Sequence, residues 1–463
     1  MKNLIMHEIQ KFLYGLRFPI ALSIVLVMFA ASSFIYIGDY KEMNKKYNEL
    51  TANQEEQLRG YAQNASNVAV RPRSYQLPPQ KSGFISDCGE MNMPNTLVYN
   101  AYYHIDFDTG TSKSNPFIMP SSRINWGFVM LVLFSFLAII FSFDAVSGEK
   151  EQRTLALCLS NSIKRSHILV SKFIAINALL ITFAIMGMLL ALVILILSPA
   201  VAIVPETLIE IGLFLLFVVF FVGSMTAIGI FTSVMSGNSN ISLLSSVSLW
   251  LMFMIGVPNF SKTIGMSLYP VEKSSTMLTK IEDKDKEIEA SFPEGKWHSS
   301  GVDPFLPQHE IRANMQMAMA KSRSDFQAKR HDQLFLQSEK TRWLTWISPL
   351  AVFEYGTEAL LDGGYLRLRK NYTDLQNFKI QYLQWFKNLD AKDNDSPHWY
   401  NPAEDLSTTK KPVSYEEIPQ YTERSTTIGE RLAETIKYLA VMLAYMGVMF
   451  FVAILKFERY DVK

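Results

Sequence analysis

The chain has 463 residues, of which 49% are hydrophobic and 19% charged, against about 25% charged in an average soluble protein. Its 44 Lys and Arg balance 43 Asp and Glu to a formal net charge of +1, which argues against a protein that binds nucleic acid by neutralising phosphates. The two cysteines rule out a disulfide-built fold and a cysteine-rich zinc module.

The apolar residues collect in six segments near the length that crosses a hydrocarbon core of about 30 Å. They run Phe18–Ile37, Ile124–Phe143, Ile168–Leu197, Leu208–Ser233, Ile241–Pro258 and Leu432–Leu455. Before the first, Ile5, Ile9, Phe12, Leu13 and Leu16 recur at helical spacing, the pattern of a helix lying in the headgroup plane. A cleaved signal peptide is the competing reading of the first span, because Ala30-Ala31-Ser32-Ser33 loosely resembles a cleavage site. Lys2, Lys11 and Arg17, then Lys150, Arg153, Lys164 and Arg165, then Lys456, Arg459 and Lys463 fall on one side of an even number of spans. The connection 198–207 carries no Lys or Arg. The positive-inside rule then puts both termini in the cytoplasm. The expected architecture is an α-helical polytopic membrane protein with extracytoplasmic insertions at 38–123 and 259–431.

The first insertion is expected to be mixed α/β. Tyr40, Met43, Tyr47 and Leu50 carry the helix of the first span beyond the membrane, and Arg71-Pro72-Arg73 and Pro78-Pro79 enforce an extended path. Alternation at Leu97, Tyr99, Ala101, Tyr103, Ile105 and Phe107 predicts one half-buried strand. The second insertion reads as mainly helical. Ile311, Met315, Met319 and Phe326 mark one long helix that runs toward Trp343 and Trp346 and stops at Ser348-Pro349; Leu375, Phe378, Tyr382, Phe386 and Leu389 mark another. Packing against neighbouring helices explains these stripes better than a ligand face, and the tryptophans suit a membrane interface. Cys88 and Cys158 fall on opposite sides of the membrane and cannot pair, so Cys88 reads as a small buried apolar residue.

A search for chemistry returns little. There is no Gly-x-x-x-x-Gly-Lys-Ser/Thr loop to cradle nucleotide phosphates, no Gly-x-Gly-x-x-Gly after a strand and no Gly-x-Ser-x-Gly. His309-Glu310 lacks the second histidine of a zinc motif because Ala313 stands there, and His7-Glu8 fails in the same way. Lys172 and Glu210 lie near span ends, where each is expected to snorkel to water. No charged residue is read at mid-span, so a proton or sodium relay has no visible carrier. Gly223, Ser224, Ala227 and Gly229 suit close helix packing, with a dimer seam as the alternative.

The segment from Ser147 to Phe173 is different. Charges open it, Leu155, Leu157 and Leu159 follow, and Asn161-Ser162 turns it back toward the third span. Such a short helix at the membrane face has the shape to seat in a groove on another protein, or to lie on lipid as a solvated turn. Gly148, Glu149, Lys150, Glu151, Thr154, Leu155, Leu159, Ser160, Arg165, Leu169 and Lys172 resemble the loop after the second span of ABC-2 type transporter permeases. Arg153 stands in place of that pattern's glycine and Ser162 in place of its proline. Ile347-Ser348-Pro349-Leu350, Leu361-Asp362-Gly363-Gly364 and Ile418-Pro419-Gln420-Tyr421 are similar to a subgroup with large outer insertions. That subgroup is related to permeases of multicopper-enzyme maturation such as NosY.

The resemblance implies a transmembrane subunit without enzymatic activity of its own, holding no cofactor, in a bacterial inner membrane. ATP and Mg would be bound by a separate ATPase, present in two copies. The ATPase-coupling residues would be Gly148, Glu149, Lys150, Glu151, Arg153, Thr154, Leu155, Leu159, Ser160, Lys164 and Arg165, together with the N-terminal helix. A second permease, as a copy or a paralogue, would complete the transporter, with a periplasmic protein or lipid as a further partner and no nucleic acid. The alternative function is a receptor or scaffold that binds a periplasmic protein or ligand without ATP coupling. A membrane-tethered hydrolase has no motif behind it.

Overall fold

The computed structural model describes residues 1–90, 93–102, 105–107, 123–155, 164–293, 307–403 and 408–460. Among the described residues six helices are long and apolar enough to cross a membrane: Arg17–Tyr61, Trp126–Glu151, Arg165–Ile196, Pro205–Met235, Ser239–Leu268 and Ile428–Glu458. We call these the first to sixth spans. The 45 residues of the first extend about 68 Å at 1.5 Å per residue, twice what a hydrocarbon core needs, so the helix does run on past the apolar stretch. A separate helix, Lys2–Leu13, precedes it with no fully buried residue and rests Phe12 against Phe141 of the second span, ring centroids 5.5 Å apart.

The fourth span forms the centre of the bundle, with Phe217, Val218, Phe221, Val222 and Met225 buried. Its small residues admit neighbours within the same chain. A Cβ at Gly229 would lie 1.8 Å from Ser142 Oγ, and one at Gly223 would lie 2.9 Å from Met446 Sδ. Ser224 Oγ donates to the Met442 carbonyl at 3.0 Å. The patch is therefore packed inside one chain and is not left open as a seam.

The fifth helix runs to Leu268, ten residues beyond the expected stop at Pro258. The reason is local. A π-helical turn, Met252–Gly256, precedes Pro258, and such a turn relaxes the i to i−4 ladder in which a proline ring would otherwise clash. The second span holds a matching π turn at Val129–Phe134, and Trp250 Nε1 donates to Ser135 Oγ at 2.8 Å to join the two spans.

The alternation from Leu97 to Phe107 is two strands, not the single strand expected. β1 (Arg73–Gln76), β2 (Thr96–Tyr99) and β3 (Ile105–Phe107) form an antiparallel sheet in that order, with Leu97 opposite Phe107. Asn100 ends β2: its side chain accepts the Tyr102 N–H at 3.1 Å and donates to the Val70 carbonyl at 3.2 Å. Buried residues continue on both sides of this turn, so the period of two survives it.

In the second insertion, helices Pro307–Leu344 and Gly364–Asp390 match the expected stripes, and Ser274–Ser291 lies against the first of them. Met315 and Met319 are buried, the packing role expected of the methionine stripe. The two insertions share one core, in which Leu97 and Tyr99 cluster with Leu334, Tyr365 and Tyr382. A short helix, Pro349–Leu361, was not expected. Ser348 caps it by accepting the Ala351 N–H at 3.3 Å, and it returns into the bundle so that Phe353 stacks on Phe221 at 4.2 Å and on Phe217 at 5.6 Å. Its end is built for close approach: Asp362 adopts φ 49° and Gly364 φ 55°, and a Cβ on Gly363 would meet Cys88 Sγ at 2.6 Å. Cys88 is buried, which raises its thiol pKa well above the ordinary value. Cys158 lies outside the described residues.

Candidate functional site

The second span does not end where its apolar run ends. After the α-helix closes at Ser142, a turn at 143–146 leads into a short helix, Ser147–Glu151, and the chain turns again at Gln152-Arg153. Ser233 Oγ of the fourth span accepts the Val146 and Ser147 N–H groups at 2.9 and 3.0 Å, satisfying backbone donors where the chain leaves the bundle. We call residues 147–155 the elbow.

Three successive residues of the elbow tie it to four other elements. Glu149 reaches Lys172 of the third span at 2.5 Å, and the same Lys172 Nζ reaches Glu8 of the N-terminal helix at 2.8 Å. Lys172 is 2% exposed, so it does not snorkel as expected; two carboxylates neutralise it in place, the arrangement a buried charge requires. Lys150 Nζ donates to the carbonyls of Val234 and Ser236 at 2.6 and 3.0 Å. These close the fourth-span helix, whose C-terminal dipole favours a cation. Glu151 Oε2 accepts the Ser239 N–H at 3.1 Å, the first residue of the fifth-span helix, where the dipole favours an anion. Adjacent Lys and Glu thus serve opposite helix ends across one turn.

The rest of the elbow divides by exposure. Leu155 is 3% exposed and clusters with Val146, Leu169, Val234 and Phe457. Glu151, Gln152, Arg153 and Thr154 face outward, and Thr154 Oγ1 is 3.5 Å from the Glu149 carbonyl. Arg153 has φ 58°, the left-handed region that favours glycine. Arg153 therefore carries a strain that a glycine at this position would not. A Cβ on Gly148 would meet Asp144 and Ser239 at 3.5 and 3.6 Å, ordinary contacts, so the space at that position does not demand glycine.

Arg165 opens the third-span helix and donates to the carbonyls of Glu458 and Tyr460 at 2.9 and 2.6 Å, joining the end of the sixth span to the same region. Lys164, its N-cap residue, is exposed. Leu159, Ser160 and Ser162 lie outside the described residues. Sequence reasoning missed Glu8, seen only as half of a failed metal motif, and Ser233, for which no local signal exists. Arg17 pairs with Asp144 at 2.8 Å, closing the ring around the elbow.

At the other end of the bundle Glu210 does not snorkel either. Arg431, at the start of the sixth span, reaches it at 2.5 Å, and Ser82 of the first insertion donates to its second oxygen. Among the described residues of the second insertion, a Ser, a His and an Asp do meet. Asp390 accepts from Ser396 Oγ and Thr409 N–H and pairs with His398 Nδ1, at 2.6, 2.7 and 2.6 Å. The carboxylate, and not the imidazole, takes the serine proton, so this loop knot lacks the order that activates a nucleophile. Among the described residues no group of three or more His, Cys, Asp or Glu side chains is placed to hold a metal ion.

The search of curated proteins finds no match. The family profile described as "ABC-2 family transporter protein" matches residues 2–462, and membrane subunits of that family work with an ABC ATPase and are typically not enzymes themselves. The N-terminal helix, the elbow, all six spans and both insertions fall inside the match, and the chain belongs to the ABC-2 transporter family.

Proposed function

We propose that the chain is the permease subunit of an ATP-driven transporter, with the termini and elbow in the cytoplasm of a bacterial cell and the insertions outside its inner membrane. The outward turn Glu151–Thr154 seats in the partner ATPase, present in two copies that hold ATP and Mg, and a second permease completes the assembly. The observation that carries this reading is the convergence at the elbow. Glu149, Lys150 and Glu151 bind the third span, the fourth-span C-terminus and the fifth-span N-terminus, while Lys172 adds the N-terminal helix. Displacing one turn therefore displaces most of the bundle, because packed interiors transmit strain. Glu210, Ser82 and Arg431 fasten the far ends of the fourth and sixth spans to the first insertion, a route by which the same motion reaches the outer face as export or as movement passed to a periplasmic partner.

Measuring hydrolysis by the cognate ATPase with and without this chain tests the reading. Stimulation in an assembled complex is expected. Assembly without stimulation, or failure of the two to associate, returns the function to the outer insertions as a receptor or scaffold.

A further inference from the structure

A cleft of about 160 Å³ lies in the insertions, between β1 and the part of the first-span helix that runs past the apolar stretch. Tyr47, Thr51, Gln54, Leu58 and Tyr61 line it from the helix, and their alternating spacing of four and three places them on one helix face. All of β1 lines it as well, with Tyr415, Gln420 and Tyr421 closing the rest. β1 is an edge strand, paired with β2 alone. Leu77 N–H donates to the Asn95 carbonyl at 2.9 Å, which sets the phase of the ladder: paired residues exchange bonds at every second position. Arg73 and Tyr75 therefore bond to Tyr99 and Leu97, while the N–H and C=O groups of Ser74 and Gln76 point away from β2. These four groups have no partner among the described residues.

The side chains add uncharged groups in reach of a ligand. Tyr47, Gln54 and Tyr61 are half-buried, and among the described residues none of them makes a side-chain hydrogen bond or a ring stack, while their polar atoms stay open to solvent. The charges around the cleft are already spent. Arg73 donates Nη1 to the Pro419 carbonyl at 3.0 Å and sits 5.4 and 5.3 Å from the Tyr99 and Tyr382 rings. Glu55 accepts from Arg59 at 2.9 Å, and Arg59 covers the Tyr415 ring at 4.1 Å. The occupant this chemistry suits is neutral, with a flat apolar face for a phenol ring, hydroxyls for an amide and an amide of its own for the strand edge. At about 160 Å³ the cleft falls below the roughly 300–1,000 Å³ of sites for drug-sized ligands, so it has room for one ring and not for an extended chain.

We propose that this cleft binds an N-acetylhexosamine ring of a glycan. The acetamido group carries one C=O and one N–H, and it pairs with the outward N–H and C=O of Ser74 as a neighbouring strand would. The C–H face of the pyranose lies on Tyr47, and Gln54 meets a ring hydroxyl. The site stands on the cleft alone and is independent of the permease reading.

The test uses the full chain in nanodiscs of zwitterionic lipid, titrated calorimetrically with N,N′-diacetylchitobiose. Saturable binding is expected. Cellobiose has the same rings and linkage with hydroxyls in place of the acetamido groups, and it binds about tenfold more weakly because both bonds to the strand edge are lost. Tyr47→Ala weakens Kd about tenfold and Gln54→Ala about fivefold; alanine suits a helix, and neither side chain has a hydrogen bond in the chain to lose. Ser74→Pro removes the outward N–H and leaves the ladder bonds of Arg73 and Tyr75 in place, a substitution that edge strands accept. It weakens Kd about fivefold, whereas Ser74→Ala keeps the N–H and binds as wild type does. No binding of the disaccharide, or equal affinity for cellobiose, overturns the proposal. Wild-type affinity in Tyr47→Ala or in Ser74→Pro overturns it equally. N-acetylalanine methylamide binding as tightly as the disaccharide overturns it in favour of a peptide pocket. Should Ser74→Pro not fold, Tyr47→Ala and the cellobiose comparison still decide the question.

Discussion

Replacing Lys172 by methionine removes the one cation that holds the N-terminal helix, the elbow and the third span together. At 2.8 and 2.5 Å from Glu8 and Glu149, each contact is worth about 6 kcal/mol gross at an effective dielectric constant of 20. Desolvation of the 2%-exposed ammonium offsets most of that. Removing one partner of a buried pair costs about 3–5 kcal/mol, because the uncompensated charges stay behind. Glu8 and Glu149 keep 13% and 15% exposure, so water relieves part of the loss and about 3 kcal/mol is the expected value. Equilibrium denaturation in mixed micelles measures it. The triple variant Lys172→Met, Glu8→Gln, Glu149→Gln should recover most of that stability, since no unpaired charge remains, while stimulation of the partner ATPase should stay low because the elbow is no longer tied to its neighbours. A loss for Lys172→Met within about 1 kcal/mol, the range of an exposed ion pair, would refute the closed ring.

Other substitutions probe separate parts of the account. Arg153→Gly relieves a left-handed residue and should stabilise the elbow by about 1 kcal/mol, read as a higher denaturation midpoint. Gly229→Ala places a Cβ 1.8 Å from Ser142 Oγ and should cost about 1–3 kcal/mol by overpacking, unlike Gly212→Ala, which meets nothing within 4 Å. Leu155→Ala empties a buried position and should cost about 2–5 kcal/mol, so lost coupling in that variant is accompanied by lost stability. In the second insertion, hydrogen bonds from Lys411 and Thr409 hold Asp393 down to about 2. Its folded pKa lies below the unfolded value of about 3.9, so its contribution is present above pH 4 and is lost as pH falls through about 2. Asp393→Asn should flatten the acid limb of the pH–stability curve over that window.

The spans were legible because twenty apolar residues in a row have few other uses, and the helical stripes at Met315 and Phe378 were legible because period carries through. What the sequence hid were contacts between distant positions. Nothing near Lys172 announces Glu8, 164 residues away, so a charged residue near a span end read as solvated. The return helix Pro349–Leu361 has 13 residues, too few to register as a span, and its burial comes from Phe217 and Phe221 on another element. The single strand at Leu97–Phe107 failed because the alternation resumes in phase after the Asn100 turn. At Arg153 the backbone turns left-handed at φ 58° on a residue that is not glycine, a conformation that no local sequence signal announces.

The most direct test of the account is hydrolysis by the partner ATPase assembled with wild-type chain, with Glu151→Ala and with Arg153→Glu. Arg153 is exposed, and glutamate there leaves the backbone strain as it was. The account predicts that both variants assemble and that stimulation falls several-fold, with stability unchanged in Arg153→Glu and lowered in Glu151→Ala, which loses its bond to the fifth-span N-terminus. Wild-type stimulation in both would contradict the placement of the ATPase on the elbow.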